Sequence, residues 1–267
     1  MKIRLIKKAI FCAFVILNSS FVFAQGLQSD EDLLKLAQEN TTFSETDFTG
    51  NYTVVMEKPG EGKSITEAIM HRRDSNLSWT ILVTGPAKEK GKGYLQTGGN
   101  IWFFDPADRR FTFTSAKDKF QNTNANNSDF APQRYFDDYK ITSAQDVNLG
   151  NFKCRLMQLE TKVQNSDYPV LKLWISKDDG LVRMKEDYSL SGKKLRTTAV
   201  PSYQKIERGG RTYSVPVKML ISDNLRGKKI GDKVQYEKTQ ITISNVSFEK
   251  LGDVVFTKPY LETMSAK

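Results

Sequence analysis

Along most of the chain apolar and polar residues alternate with a period of two, as in strands that bury one face. Asn51–Met56, Ser78–Val83, Arg110–Thr114 and Val170–Ile175 show it most cleanly. The pattern predicts strands over residues 49–58, 64–73, 77–84, 93–96, 100–105 and 109–115. A second series is predicted over 151–162, 170–176, 181–189, 194–203, 217–223 and 233–246. Short turns such as Pro59-Gly-Glu-Gly62, Gly98-Gly99, Lys177-Asp-Asp-Gly180 and Arg208-Gly-Gly210 separate them, and connections this short make the pairing antiparallel. Roughly eleven or twelve strands are more than a flat sheet accepts without curling, so a mainly β, antiparallel barrel or half-barrel is expected.

Two stretches depart from this rhythm. At the start, Ser29 caps a predicted helix, with Asp32 three residues on and Leu33, Leu34, Leu36 and Ala37 on one side, before Asn40 ends it. Its apolar stripe must be buried, either as plain core or, through Leu33 and Leu36, as a lid over a ligand cavity. Residues 116–140 are rich in Asn yet retain Phe120, Phe130, Tyr135 and Phe136. A loop longer than about 12–15 residues in a compact domain is functional or disordered, and spaced aromatics argue against disorder. Phe120, Phe130 and Phe136 are therefore further lid candidates.

Alternation also nominates residues facing the interior. Trp79, Ile81 and Val83 share one side of their strand, as do Phe111 and Phe113, and Leu171, Leu173 and Ile175. Trp102 and Phe104 share a parity too, although Ile101 and Phe103 are just as apolar, which suggests a strand buried on both faces. These ten residues are the cavity candidates. Core and pocket linings share the same chemistry, so each is equally a packing residue on this ground.

The N-terminus sets the compartment. Lys2, Arg4, Lys7 and Lys8 precede an apolar core, Ala9–Leu17, and Val22-Phe-Ala24 is a small-residue cleavage site. Together they read as a secretory signal peptide over 1–24, leaving one domain over 25–267 and a periplasmic location. Cys12 follows the bulky Phe11 inside the apolar core, a poor context for lipidation. Removing the signal lowers the formal net charge from +9 to +5, with the remaining basic residues scattered among Asp and Glu. Such a charge suits anionic membranes or acidic partners, and export disfavours nucleic acid. Only Cys154 then remains, so no intramolecular disulfide is available and stability must come from the core.

Catalytic chemistry finds few residues. His71 is the single histidine, at a strand end, and no Gly-x-Ser-x-Gly elbow supplies a nucleophile. Zinc needs several His or Cys ligands, and the processed chain has one of each. Gly62-Lys-Ser64 joins two strands instead of opening a helix, and Glu57 stands where a phosphate loop requires glycine. No catalytic residue, metal or cofactor is assigned. The expectation is a container and not an enzyme.

The ordered motifs Gly93-Tyr-Leu95, Ile101-Trp-Phe-Phe-Asp-Pro106, Asn127-Ser-Asp-Phe130, Asp138-Tyr139, Tyr168–Ile175, Gly192–Arg196 and Val255–Glu262 carry a family likeness. In them the chain resembles the outer-membrane lipoprotein-sorting proteins of the LolA-like superfamily, nearest the branch typified by a treponemal lipid-binding protein. It departs from the family pattern at Asn127, where glycine is usual. The resemblance implies an unclosed antiparallel β-barrel with helices plugging the opening and an apolar cavity between them. It also implies a periplasmic carrier for the acyl chains of lipoproteins or phospholipids, without a cofactor, working with an inner-membrane transport complex and touching membranes transiently. Each CH₂ left in water costs about 0.8 kcal/mol, so a carrier must hide its cargo. The competing expectation is a non-catalytic envelope adaptor or sensor that uses the same fold with a filled interior.

Overall fold

The computed structural model describes residues 29–164 and 166–266; the signal peptide and cleavage site expected from the sequence lie outside them. Helix α1 (Asp30–Glu39) is followed by strands β1 (Asp47–Lys58), β2 (Gly62–Arg73), β3 (Ser78–Gly85), β4 (Gly93–Thr97), β5 (Asn100–Asp105) and β6 (Arg110–Thr114). After a long connection and the single turn α2 (Tyr135–Asp138) come β7 (Tyr139–Leu149), β8 (Phe152–Thr161), β9 (Val170–Ser176) and β10 (Val182–Tyr188). The long strands β11 (Lys194–Arg208), β12 (Arg211–Ile230) and β13 (Lys233–Ser247) precede the final helix α3 (Lys258–Ser265).

All thirteen strands form one curled, unclosed sheet in the order β6-β5-β4-β3-β2-β1-β13-β12-β11-β10-β9-β8-β7. Every neighbouring pair is antiparallel. The first six strands meander outward from β1, and the last seven meander back from the opposite edge until β13 pairs with β1. Since β6 and β7 are the two edges, residues 115–138 must cross the whole width of the sheet. They cross over its inner face, which explains why an Asn-rich stretch keeps its aromatics. Phe120 packs on Tyr94 of β4 with ring centroids 5.1 Å apart, and Phe130 lies 5.8 Å from Tyr52 of β1.

Alternation decides the faces. In β1 the even residues Phe48, Tyr52, Val54 and Met56 are buried inward, beside Ile241 and Ile243 of β13. Gly50 shares their parity and leaves room for a ring: a Cβ there would stand 2.9 Å from Phe48 and 3.1 Å from Ile243. On the inner face one cluster gathers around β1–β4, β12, β13 and the crossing segment. A second joins Met157, Leu159, Leu171, Leu173 and Ile175 to Leu33, Leu34 and Ala37 of α1. Ser29 caps α1 by accepting from the Asp32 N–H, and Arg155 grips Asp30 at 2.7 and 2.9 Å. Burying each of those leucines contributes about 1.5–3 kcal/mol, enough to hold a short helix on the sheet.

The outer face carries α3. Thr257 caps it and Pro259 occupies its first turn, a start signal visible in the sequence. Its Leu261 packs with Leu82, Leu95 and Phe104. A Cβ at Gly93 would lie 2.7 Å from Leu261, so glycine is what lets the helix settle. His71 of β2 bridges this helix to the sheet, 3.0 Å from the Thr49 hydroxyl and 3.1 Å from the Tyr260 hydroxyl.

The strand pattern is close to the expected one and differs in three places. β7, with Thr142, Ser143, Gln145, Asp146 and Asn148, is a largely exposed edge strand whose alternation is too faint to read. β11 and β12 run on through a bulged region near Pro201 that breaks the period. In the third place, after the last strand, the sequence pattern predicts no element and the chain forms α3: Thr257 and Pro259 mark its start, but with Leu261 its one buried residue it shows no apolar stripe.

Candidate functional site

Between the crossing segment and the sheet lies an interior cavity of about 90 Å³. Its floor is Phe48 and Tyr52 of β1, Ile243 of β13, Val215, Met219 and Ile221 of β12, and Val200 of β11. Its roof is Thr41 and Phe43, which follow α1, and Asp129, Phe130, Ala131 and Gln133 of the crossing segment. The wall is largely aliphatic and aromatic. Phe43 stacks on Phe48 at 5.4 Å and meets Tyr213 and Phe248 edge-on at 5.8 and 5.1 Å, so much of the interior is filled by rings.

Every charge on this wall has an opposite partner. Arg72 donates to Asp74 at 2.9 Å and to the Thr41 carbonyl at 2.8 Å, while its guanidinium lies 4.5 Å from the Phe43 ring centre. Asp74 also accepts the Phe43 N–H at 2.6 Å, fixing the chain where it leaves α1. Lys185 sits 3.4 Å from Asp187. Arg196 donates to both oxygens of Asp129, at 2.6 and 2.7 Å, and to Asp187, and it lies 4.6 Å from the ring of Tyr168. Asn126 donates to Tyr168 at 2.6 Å and, through its N–H, Asp129 accepts at 2.8 Å. Burial pushes the Asp129 carboxyl up, but the Arg196 charge and hydrogen bonds, Lys185 and the Asn126 N–H outweigh it and hold its pKa below the ordinary value. Burial raises the phenols of Tyr52 and Tyr203, so both stay neutral, and Tyr203 donates to the Val182 carbonyl at 2.7 Å. A cavity whose charges are cancelled in place offers no bare ion to a ligand and suits an uncharged, apolar one.

Of the lid candidates, Phe130 lines this cavity, and Phe120, fully buried, packs beneath it at 4.8 Å. Leu33 is buried in the α1 cluster, and Leu36 is half-buried against the Gly180 turn. Phe136 faces a wider, open groove of about 400 Å³ beside α1 and β7. That groove is rimmed by Asp30, Glu31, Lys140 and Lys162, so the smaller interior cavity is the better apolar site. Trp79, Ile81 and Val83 lie on the inner face, buried in the larger cluster. Leu171, Leu173 and Ile175 lie on the same face under α1. None of these six lines the cavity.

The inward reading of Trp102, Phe104, Phe111 and Phe113 is corrected by the register. Trp102 pairs with Leu95 and Phe113, and Phe104 with Gly93 and Phe111, all on the outer face. There Phe104 and Phe111 pack under α3, Lys258 lies 3.5 Å from the Trp102 ring centre, and Phe113 is 65% exposed. Ile101 and Phe103 take the inner face instead. With all four residues of Ile101–Phe104 apolar, parity carried no direction. The cavity floor residues were missed although β1 and β13 alternate legibly: Phe48, Tyr52 and Ile243 each follow a polar neighbour of opposite parity.

This architecture is matched in solved structures. A LolA superfamily protein from Nitrosomonas europaea superposes with a TM-score of 0.70 at 21% identity, covering 86% of this chain and 98% of that one. A Vibrio parahaemolyticus domain, named provisionally as an outer membrane lipoprotein-sorting protein, gives 0.71 at 16% identity, over 86% and 97% of the two chains. A DUF1329 family protein from Desulfovibrio piger gives 0.72 at 17% identity, again over 86% and 97%. A family model described as "Uncharacterized protein" matches residues 76–263. The chain belongs to that family and has the LolA-like fold. No curated protein matches it. At these identities the structural likeness is one of fold.

Proposed function

We propose that this LolA-like protein is a periplasmic carrier that shields acyl chains of lipoproteins or phospholipids for transfer toward the outer membrane. In this reading residues 1–24 are a cleaved signal, 25–267 are the carrier domain, and an inner-membrane transport complex supplies the cargo. The observation that carries the reading is the charge-cancelled apolar cavity beneath the crossing segment. No catalytic role is proposed. His71 is held between Thr49 and Tyr260 on the outer face, away from the cavity, and among the described residues no group of three or more His, Cys, Asp or Glu could hold a metal.

The cavity's size defines how it must work. Small-molecule pockets span about 300–1,000 Å³, and this one measures about 90 Å³. An acyl chain therefore enters only if part of the wall moves. The sheet is bonded along every strand, so the mobile wall is the roof, Phe43 with Phe130–Gln133. The filled interior is also what the adaptor reading requires, and one comparison separates the two. Met219 lines the cavity, whereas its neighbour Leu220 points outward and is 40% exposed. Met219→Glu should abolish binding of a fluorescent fatty acid and Leu220→Glu should leave it unchanged, since a carboxylate facing an acyl chain loses hydration without a partner. Equal binding by both variants, or none by the delipidated wild type, would replace the carrier by the adaptor.

A further inference from the structure

β12 and β13 outrun the sheet. Pairing of β11 with β12 ends at Arg196–Asp223, and pairing of β1 with β13 ends at Glu57–Lys238. Beyond those positions β12 and β13 pair only with each other, from Gly227–Tyr236 to Ile230–Lys233. Residues 225–237 are thus a two-stranded ribbon with no third strand paired to it, an arrangement only marginally stable in water.

The ribbon's side chains do not bury it. Leu225, Ile230, Val234 and Tyr236 are exposed at 50, 38, 55 and 37%. Val234 and Tyr236 share one face, lying over Gly227, where a Cβ would be 2.6 Å from the valine and 3.0 Å from the tyrosine. Lys228, Lys229 and Lys233 are exposed among them and make no ion pair within the described residues. Arg226 instead is held near Asp223 and Glu237, at 3.7 and 3.9 Å. The β1–β2 turn lies alongside, with the Lys228 ammonium 3.2 Å from where a Gly60 Cβ would be.

We propose that this ribbon docks the protein on the surface of an anionic phospholipid bilayer. Tyr236, with an apolar ring and a polar tip, and the lysines, with apolar stems and charged heads, are the side chains an interface accommodates. Val234 and Tyr236 with Lys229 on one face of the ribbon, and Ile230 with Lys228 and Lys233 on the other, supply apolar area for the headgroup boundary and ammoniums that outnumber the single carboxylate of its turn, Asp232, and so match the negative surface. The contact proposed is peripheral, the ribbon lying in the interface. The proposal stands apart from the cavity: it concerns where the molecule touches a membrane, whatever it carries.

The test uses the exported, processed protein and flotation with vesicles of phosphatidylcholine plus phosphatidylglycerol, against phosphatidylcholine alone. Each lysine near an anionic surface strengthens binding about fivefold, so the triple variant K228Q/K229Q/K233Q should bind roughly a hundredfold more weakly. Wild-type binding should fall with added salt. V234S/Y236S should weaken vesicle binding as well while leaving fatty-acid binding unchanged, which separates failure here from failure of the carrier reading. A dye sensitive to polarity, attached at Val234→Cys, reports the site itself, because Cys154 is fully buried. Its emission should shift to the blue with phosphatidylglycerol vesicles. Absence of wild-type flotation at low salt, undiminished flotation of the triple variant, or an unshifted dye would each overturn the proposal.

Discussion

Replacing Arg196 by methionine removes the buried cation that ties Asp129 of the crossing segment to the sheet. Arg196 is 5% exposed, and its guanidinium bonds both Asp129 oxygens and also reaches Asp187. In the variant Asp187 keeps Lys185 at 3.4 Å, so the uncompensated charge falls on Asp129. Removing one partner of a buried ion pair costs about 3–5 kcal/mol. For a domain of this length each kcal/mol moves Tm by about 2–4 °C, giving a loss of roughly 6–20 °C. The deficit must depend on pH. In the wild type Asp129 has a lowered pKa, so its contribution is present above the ordinary value near 4 and is lost as pH falls through the folded value. In the variant burial acts without Arg196, the folded pKa rises, and ionised Asp129 is a burden that protonation relieves. Urea titrations followed by circular dichroism should therefore show the largest gap between variant and wild type near pH 7, narrowing toward about pH 4. A gap under about 1 kcal/mol at pH 7, or one that does not change with pH, would refute the reasoning.

Phe130→Ala removes a ring that roofs the cavity and touches both Phe120 and Tyr52. It should cost about 3 kcal/mol in chemical denaturation and speed fatty-acid uptake in stopped-flow fluorescence, since the roof then opens more readily. Phe113→Asp, on the outer face and mostly exposed, should change neither fatty-acid affinity nor Tm by more than about 0.5 kcal/mol in equivalent terms. Burial lowers the pKa of His71. The unfolded chain then binds more protons below about pH 6.5, so stability should fall as the pH drops through that value, and a His71→Gln variant should show a flatter profile across the same window.

The sheet was legible because a strand with one buried face writes its period into the chain, as in Phe48, Tyr52, Val54 and Met56. The crossing segment was legible as an interruption, an Asn-rich stretch holding Phe120 and Phe130. Its path was not, because that follows from β6 and β7 being opposite edges, and edge order is set by the β1–β13 pairing across nearly the whole chain. The faces of Ile101–Phe104 were ambiguous for a physical reason: α3 covers the outer side, so both faces of that strand are apolar. The Arg196–Asp129 pair joins residues 67 positions apart, and no local pattern marks an ion pair destined for burial. The membrane-facing character proposed for the ribbon is spread over lysines and apolar residues that alternate like any strand. Only the end of its neighbours' pairing makes it stand out.

Native mass spectrometry of the purified protein tests the carrier most directly. Electrospray under gentle conditions preserves a bound lipid, and the apolar, charge-cancelled cavity predicts an adduct with the mass of a phospholipid or fatty acid, released by delipidation and restored on reloading. Met219→Glu should lack that adduct while keeping the fold. Recovery of the bare chain alone, with no adduct after reloading the delipidated wild type, would contradict the account.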